Sequence, residues 1–443
     1  MNLLTLARSI FLDTLDQVDT STAIHSRVRY ADGWLYIGEM VYSMQRFRRV
    51  MLVAIGKAAV PMCETLLAIL NPALLPGQIL EGVVVDSILP ETQNSNIQFF
   101  RGSHPLPDHV SRQAADAILH LLAKADPTTL VLFLISGGAS AMVEKPLNPE
   151  ITLEETAGFH GALVRSGLPI MQMNSLRKHF SQVKGGRLAI AAQGSTQCTL
   201  LISDVPDDAS HMVGSGPSLP DPSTMKQCLQ VIESSPEALA LPPRVLAFFQ
   251  SSHLQETPKR DHPAFKTSAW ISLLSSKDLC SNAARLATEA GFAVTIDNGC
   301  DDWEYRRAAR YLIDRLKVLQ EQHPKACVIS AGEVSVKLAD RHGIGGRNQQ
   351  FVLECARIIA EENLTFTVLS GGSDGIDGNS PAAGAACDRT TWSRATAHGL
   401  DLEIMLKTFN SFPLFHALGD TIETGPTGNN LRDLRILLSC KVQ

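Results

Sequence analysis

Val50-Met51-Leu52-Val53-Ala54-Ile55-Gly56-Lys57-Ala58-Ala59 sets the reading of this chain. Six consecutive apolar residues without alternation mark a strand covered on both faces, as in a parallel sheet. The glycine turn leads into a helical pattern from Ala58 to Leu70. Strand, tight turn and helix form the first half of a βαβ unit. The pattern recurs where Leu130 to Ile135 runs into Ser136-Gly137-Gly138-Ala139-Ser140-Ala141, and where Phe366 to Ser370 feeds Gly372-Ser373-Asp374-Gly375-Ile376-Asp377-Gly378. Thr199 to Ile202 likewise ends in Ser203-Asp204-Val205-Pro206-Asp207-Asp208, and Gly345-Gly346-Arg347-Asn348-Gln349-Gln350-Phe351 turns into a helix. The expected fold is α/β, with mostly parallel or mixed sheets flanked by helices.

A chain of 443 residues exceeds one ordinary core, so two α/β domains are expected, at 1–240 and 265–443. The proline-, serine- and charge-rich stretch 218–266 reads as the link between them. A first amphipathic helix packs on the N-terminal domain, and Asn174 to Ala192 reads as one helix broken in regularity by Gly185-Gly186. Ala269 to Leu274 opens the second series of strands, Cys327 to Glu333 and Val334 to Leu338 form a strand pair, and Leu434 to Leu438 is the last strand.

Composition narrows the function classes. Hydrophobic residues make up 44% and charged residues 19%, as in a globular protein. A net charge of -6 argues against a general nucleic-acid binder. No apolar stretch approaches the ~20 residues that cross a bilayer. Nine cysteines occur singly with no CxxC pair, which predicts buried reduced thiols and a cytoplasmic setting.

The turns carry the chemistry. Glycine lets the backbone approach a ligand, and a helix N-terminus offers unpaired N–H groups to an anion. Lys57 stands at such a turn, although a surface lysine is the blander reading. Ser136, Gly137, Gly138 and Ser140 combine hydroxyls and amides suited to carboxylate or phosphate oxygens, or they form an ordinary tight turn. Arg347 adds a planar guanidinium able to grip an oxyanion by two parallel bonds, with Asn348 and Gln349 as neutral donors. Asp204, Asp207 and Asp208 hold Mg²⁺ through water, orient a nucleotide, or cap the following turn. His104 sits in a proline-stiffened loop, and Arg177, Lys178, Lys184 and Arg187 line one helical stretch. There is no GxSxG elbow and no GxxxxGK[ST] loop, so a serine hydrolase and a P-loop kinase are both disfavoured.

Taken in order, Gly56-Lys57-Ala58-Ala59, Ser103-His104-Pro105-Leu106-Pro107-Asp108, Ser136 to Ala141, Leu176-Arg177-Lys178-His179, Lys184 to Ala189 and Ile202-Ser203-Asp204-Val205 resemble the glycerate 2-kinase family that carries the MOFRL domain. Ser330-Ala331-Gly332-Glu333, Gly345 to Gln349, Asp374 to Gly378 and Thr424-Gly425-Pro426-Thr427-Gly428 continue the match along nearly the whole chain. The resemblance implies ATP- and Mg²⁺-dependent phosphorylation of D-glycerate at its 2-hydroxyl, in a cleft between the two domains. It implies Lys57 and Arg347 as catalytic residues and Ser136, Gly137, Gly138 and Ser140 as substrate-binding. Gly345, Gly346, Asn348, Asp374 and Asp377 are the implied nucleotide-binding residues, with Asp204 and Asp208 as metal ligands. Ala139 replaces the family's third loop glycine, and Asp207 the glycine expected after Val-Pro. The expected protein is a cytoplasmic monomer or homodimer without nucleic-acid or membrane partners. The competing readings are an NAD(P)H-dependent hydroxypyruvate reductase, for which no GxGxxG turn with a later acid is present, and a non-catalytic sensor of phosphorylated metabolites.

Overall fold

Val50 to Ile55 lies within the strand at the centre of a parallel sheet. The computed structural model describes residues 2–90, 94–203, 205, 207–235, 240–337, 342–428 and 430–441, without the side chains of 207 and 208. The chain divides into two compact units, one of Thr20–Leu273 and one of Met1–Asp19 with Leu274–Gln443.

The first unit begins with a small antiparallel meander, β1 (Val28–Ala31), β2 (Trp34–Ile37) and β3 (Met40–Ser43). Asp32 and Gly33, both at positive φ, make its first turn, as a two-residue hairpin requires. The main sheet contains β4 (Arg49–Ile55), β5 (Ile79–Asp86), β6 (Ile97–Arg101), β7 (Thr129–Ile135), β8 (Thr196–Ile202) and β9 (Ser268–Leu274). Their spatial order is β6-β5-β4-β7-β8-β9. The pairings β4–β5, β5–β6, β4–β7 and β7–β8 are parallel. This is the doubly wound order 3-2-1-4-5-6, whose direction reverses between β4 and β7. Every residue of β7 is buried, as the unbroken apolar run dictates.

The second unit has a mixed sheet of β10 (Ala293–Ile296), β11 (Lys325–Ala331), β12 (Phe366–Gly372), β13 (Gly384–Cys387), β14 (Thr421–Ile422) and β15 (Asp433–Cys440), in the order β10-β11-β15-β12-β13-β14. The last strand lies between β11 and β12, antiparallel to both. Buried Phe351, Val352, Cys355, Ile358 and Ile359 put the apolar face of helix Arg347–Glu361 into the core.

Four readings need correction. The first helix, Leu3–Gln17, packs on the second unit: a Cβ at Gly371 of β12 would meet the Phe11 ring at 2.7 Å. The boundaries differ from 1–240 and 265–443, because β9 is the edge strand of the first sheet and the stretch from 218 folds into the first unit. Residues Met225–Ser234 and Pro243–Phe249 are helices there, and their Cys228, Val231, Val245 and Phe249 share a core with Phe159 and Phe180. Gly185 and Gly186, at φ +58° and +87°, split the long helix into Ile170–Phe180 and Arg187–Ala191. Beyond β11, Ser335 forms only an isolated bridge with Glu304, and Leu338 lies outside the described residues. All nine cysteines are free thiols, eight of them buried. Among the described residues no helix is long and apolar enough to cross a membrane.

Candidate functional site

The turns after β4 and β7 lie side by side where the sheet order reverses, the place where open α/β sheets present their crevice. Lys57 N–H donates to Gly137 O at 2.9 Å, Ala58 N–H to Ser136 Oγ at 3.0 Å, and Ser136 N–H to Ile55 O at 3.0 Å. A Cβ on Gly56 would lie 2.3 Å from Ser136 Oγ, so this contact requires glycine. The helix Ala59–Leu70 receives Asp86 at its N-terminus, whose Oδ2 accepts from Val60 N–H at 2.8 Å. The amides expected to meet a ligand at Gly56 to Val60 are therefore spent within the protein.

The Ser136 turn differs. Among the described residues, no protein group accepts from the N–H groups of Gly137, Gly138, Ala139 or Ser140. Gly138 takes φ +84°, and a Cβ there would approach the Lys57 side chain at 3.1 Å and the His104 ring at 3.6 Å. Ala139 adopts the helical start that any residue allows, which explains its tolerance in place of glycine. Burial, with Lys57 and Arg177 adding to it, holds His104 below the usual histidine pKa, so its neutral form prevails near pH 7.

Distant segments complete this cluster. Ser140 Oγ is 2.8 Å from Ser215 Oγ, which donates to Asn174 Oδ1 at 3.1 Å; Arg177 Nη1 donates to the same oxygen at 3.2 Å. Ser215 is buried at φ +64°, a conformation costly for serine and typical of sites where geometry is imposed. The two glycines that broke the helix explain how it is held: Gly185 N–H donates to Ser215 O at 3.0 Å and Gly186 N–H to Gly216 O at 2.7 Å. Below the loop, Lys184 Nζ donates to Val143 O at 2.9 Å and to Glu144 Oε2 at 2.8 Å, and His160 Nε2 is 2.7 Å from the same oxygen. Burial works against the Glu144 carboxylate, but Lys184 and His160 bring its pKa to about 2. Lys184 is thus a buried anchor rather than part of a solvated face.

The second unit builds another cluster. Arg347 grips Asp433 through Nε (2.6 Å) and Nη2 (3.0 Å), and reaches Glu333 Oε2 through Nη1 at 2.8 Å. Burial opposes its charge, yet Asp433 and Glu333 raise its pKa above the ordinary arginine value. Asp377 occupies the helix N-terminus, accepting from Asn348 N–H at 3.0 Å and Gln349 N–H at 2.9 Å. Its removal from water lifts its pKa to about 6 against those hydrogen bonds. Asn348 is buried, its Oδ1 accepting from Ser370 Oγ at 2.5 Å. The reading of these amides as open to a ligand is corrected accordingly: the chain's own carboxylate fills the position. A cavity of about 690 Å³ remains beside it, whose lining includes polar groups at Gly345, Gly346, Arg347 and Asp374 and apolar side chains at Val334, Ile376 and Phe409.

Asp204 lies outside the described residues, and the side chain of Asp208 is not described. Among the described residues no group of three acidic, histidine or cysteine side chains is arranged to hold a metal. The sequence reading did not single out Asn174, Ser215, Glu333 or Asp433. Glu333 stands in the Ser330–Glu333 motif and Ser215 in the glycine-rich stretch Gly214-Ser215-Gly216-Pro217, while Asn174 and Asp433 had no local signal.

Comparison with known proteins bears on both units. Residues 6–250 match the model of a domain of unknown function, DUF4147, and residues 326–433 match the MOFRL family. The chain is 35% identical over 396 residues to a D-glycerate 2-kinase from Thermotoga maritima, covering 88% of this chain and 90% of the relative. It is 29% identical over 433 residues to a glycerate 2-kinase from Pyrococcus horikoshii, covering 96% and 95%. A crystal structure of a glycerate kinase from Thermotoga maritima superposes with a TM-score of 0.81 at 32% identity, covering 98% of this chain and 99% of that one.

Proposed function

The chain belongs to the MOFRL-type glycerate 2-kinase family and is a kinase, and from that premise we propose that it phosphorylates D-glycerate at the 2-hydroxyl with ATP and Mg²⁺. The observation that carries the reading is the Ser136–Ser140 turn, with its unspent amides beside Lys57 at the reversal point of the first sheet. Phosphoryl transfer demands positioning and charge neutralisation more than covalent participation by the protein. The turn holds the acceptor by its amides and the Ser140 hydroxyl. Lys57 places a positive charge against the transferred group. Neutral His104, within reach of the same turn, receives the hydroxyl proton.

In the second unit, the 690 Å³ cavity takes the nucleotide, with Ile376 and Phe409 against the base and the Gly345-Gly346-Arg347 turn toward the phosphates. Asp433 and Glu333 fix the guanidinium of Arg347 in one orientation, which spares that ordering cost when a phosphate arrives. Asp374 and Asp377 then shape the turn, Asp377 from beneath it. Lys57 and Arg347 come from different units.

Mg²⁺ is held by one or two carboxylates together with phosphate oxygens in such sites, so a complete protein cage is not required. The segment after β8 supplies Asp204 and Asp208, and β8 ends at the same edge of the parallel sheet as β4 and β7. Bound there, Mg²⁺ would neutralise charge on the phosphates. A hydride-transfer reading fits less well, because Ser136 occupies the place above Gly56 where a dinucleotide pyrophosphate would approach.

The test is ADP release from ATP and Mg²⁺ with D-glycerate. Wild-type protein should turn over, and Lys57→Ala and Arg347→Ala should each lower kcat by about 100-fold or more. Turnover within a few-fold of wild type in both variants would exclude the two-cation account. NADH oxidation with hydroxypyruvate should be absent.

A further inference from the structure

Helix Ile170–Phe180 carries two adjacent cations with different fates. Lys178 is buried against Asp221, with Nζ 2.8 Å from Oδ1, and its charge is answered inside the protein. Arg177, one residue earlier, makes no ion pair among the described residues. Among those residues its side chain makes one hydrogen bond, from Nη1 to Asn174 Oδ1, and its buried Nε has no partner. A guanidinium withdrawn from water without a counter-ion is costly.

The described residues around it do not supply that counter-ion. Among the described residues, Glu144 is the carboxylate that acts on Arg177 electrostatically, and its charge is already taken by Lys184 and His160. Lys57 and Arg177 both press on His104 with positive charge. The chain from Arg177 through Asn174 and Ser215 to Ser140 ties the guanidinium to the loop whose amides are unspent. Nη2 makes no hydrogen bond among the described residues and the side chain is partly exposed, so this rigid planar cation can present an open edge to a planar carboxylate, which it suits better than a flexible amine does.

We propose that Arg177 is the residue that selects a carboxylate-bearing acceptor, gripping that carboxylate beside the Ser136–Ser140 turn while Lys57 faces the group being transferred. This rests on the kinase reading for the identity of the acceptor, but its binding arm does not.

The experiment pairs equilibrium binding with kinetics, using wild type, Arg177→Met and Arg177→Lys. Calorimetric titration with D-glycerate alone should show binding to wild type, and a loss of at least about 30-fold in affinity in Arg177→Met. In turnover, the KM for D-glycerate should rise by about the same factor while the KM for ATP stays within about 3-fold. D-Glyceramide, which keeps the hydroxyls and lacks the charge, should be used about equally poorly by both proteins. Arg177→Lys should fall between wild type and Arg177→Met, and it carries the test if the methionine variant fails to fold. Equal losses for glycerate and glyceramide, or a rise confined to the KM for ATP, would overturn the proposal. So would the absence of D-glycerate binding to wild type. Arg177-dependent glycerate binding without ADP release would instead uphold this site and defeat the kinase reading.

Discussion

Replacing Lys184 by methionine tests how the Ser136 turn is supported. Lys184 and Glu144 are 1% and 2% exposed, and Lys184 Nζ lies 2.8 Å from the carboxylate. The substitution keeps much of the side-chain volume but leaves that carboxylate in a dry site with only His160, whose own pKa burial pushes down to about 4 against the pull of Glu144. Removing one member of a buried pair typically costs about 3–5 kcal/mol. At about 2 °C per kcal/mol for a unit of this size, the first unit should melt roughly 6–10 °C lower. Lys184→Met with Glu144→Gln removes the stranded charge as well and should recover most of the loss.

The pH dependence gives a second handle on the same variant. The Glu144 pKa is depressed to about 2 in the folded chain, so its contribution is present above about pH 4.5 and is lost as pH falls toward 2. Lys184→Met should flatten that part of the stability profile. Scanning calorimetry across pH, with hydrogen exchange to assign the transition to the first unit, measures both effects. A single variant melting within about 2 °C of wild type, or a double variant no more stable than the single, would refute the reasoning.

Other outcomes follow from the same geometry. Gly346→Ala should break the second site without removing any charged group: the added Cβ would lie 2.2 Å from Asp377 Oδ1, displacing the carboxylate that holds the helix N-terminus. Slower turnover and faster exchange of the amides of Asn348 and Gln349 would register this. Asp377, with its pKa raised to about 6, favours the folded state most below about pH 4 and loses that contribution as pH rises through 6. Those amides should therefore become more protected as pH is lowered from 6 to 4, and Asp377→Asn should remove the trend. Because His104 titrates below its usual 6.5, kcat/KM should be level above about pH 6.5 and fall only on the acid side, and His104→Gln should abolish the acid limb.

What the sequence made legible was local. The apolar runs of β4, β7 and β12 and the glycine turns after them announce themselves within ten residues, and each lies where the pattern put it. The partners that complete the sites come from far along the chain. Asp86 is 26 residues from Val60, Asp377 is 29 from Asn348, Glu144 is 40 from Lys184, and Asp433 is 86 from Arg347. No periodicity reports such pairings. For the same reason, two helix N-termini that looked open to an anion are closed by the chain's own aspartates. The reading of β9 failed differently: an apolar strand pattern specifies a strand but not the sheet whose edge it joins. Ser218 to Lys266 looked like a linker because its helices are short, yet Val245, Phe248 and Phe249 bury themselves against Phe180.

The most direct test of the central claim is the proton-coupled phosphorus NMR spectrum of the product formed from D-glycerate, ATP and Mg²⁺. Transfer to the 2-hydroxyl places phosphorus beside a single carbon-bound proton, so the account predicts a new phosphomonoester doublet appearing together with ADP. A triplet would mean transfer to the 3-hydroxyl, beside two protons, and would contradict the proposed regiochemistry. ATP left intact by folded protein would contradict the kinase assignment itself.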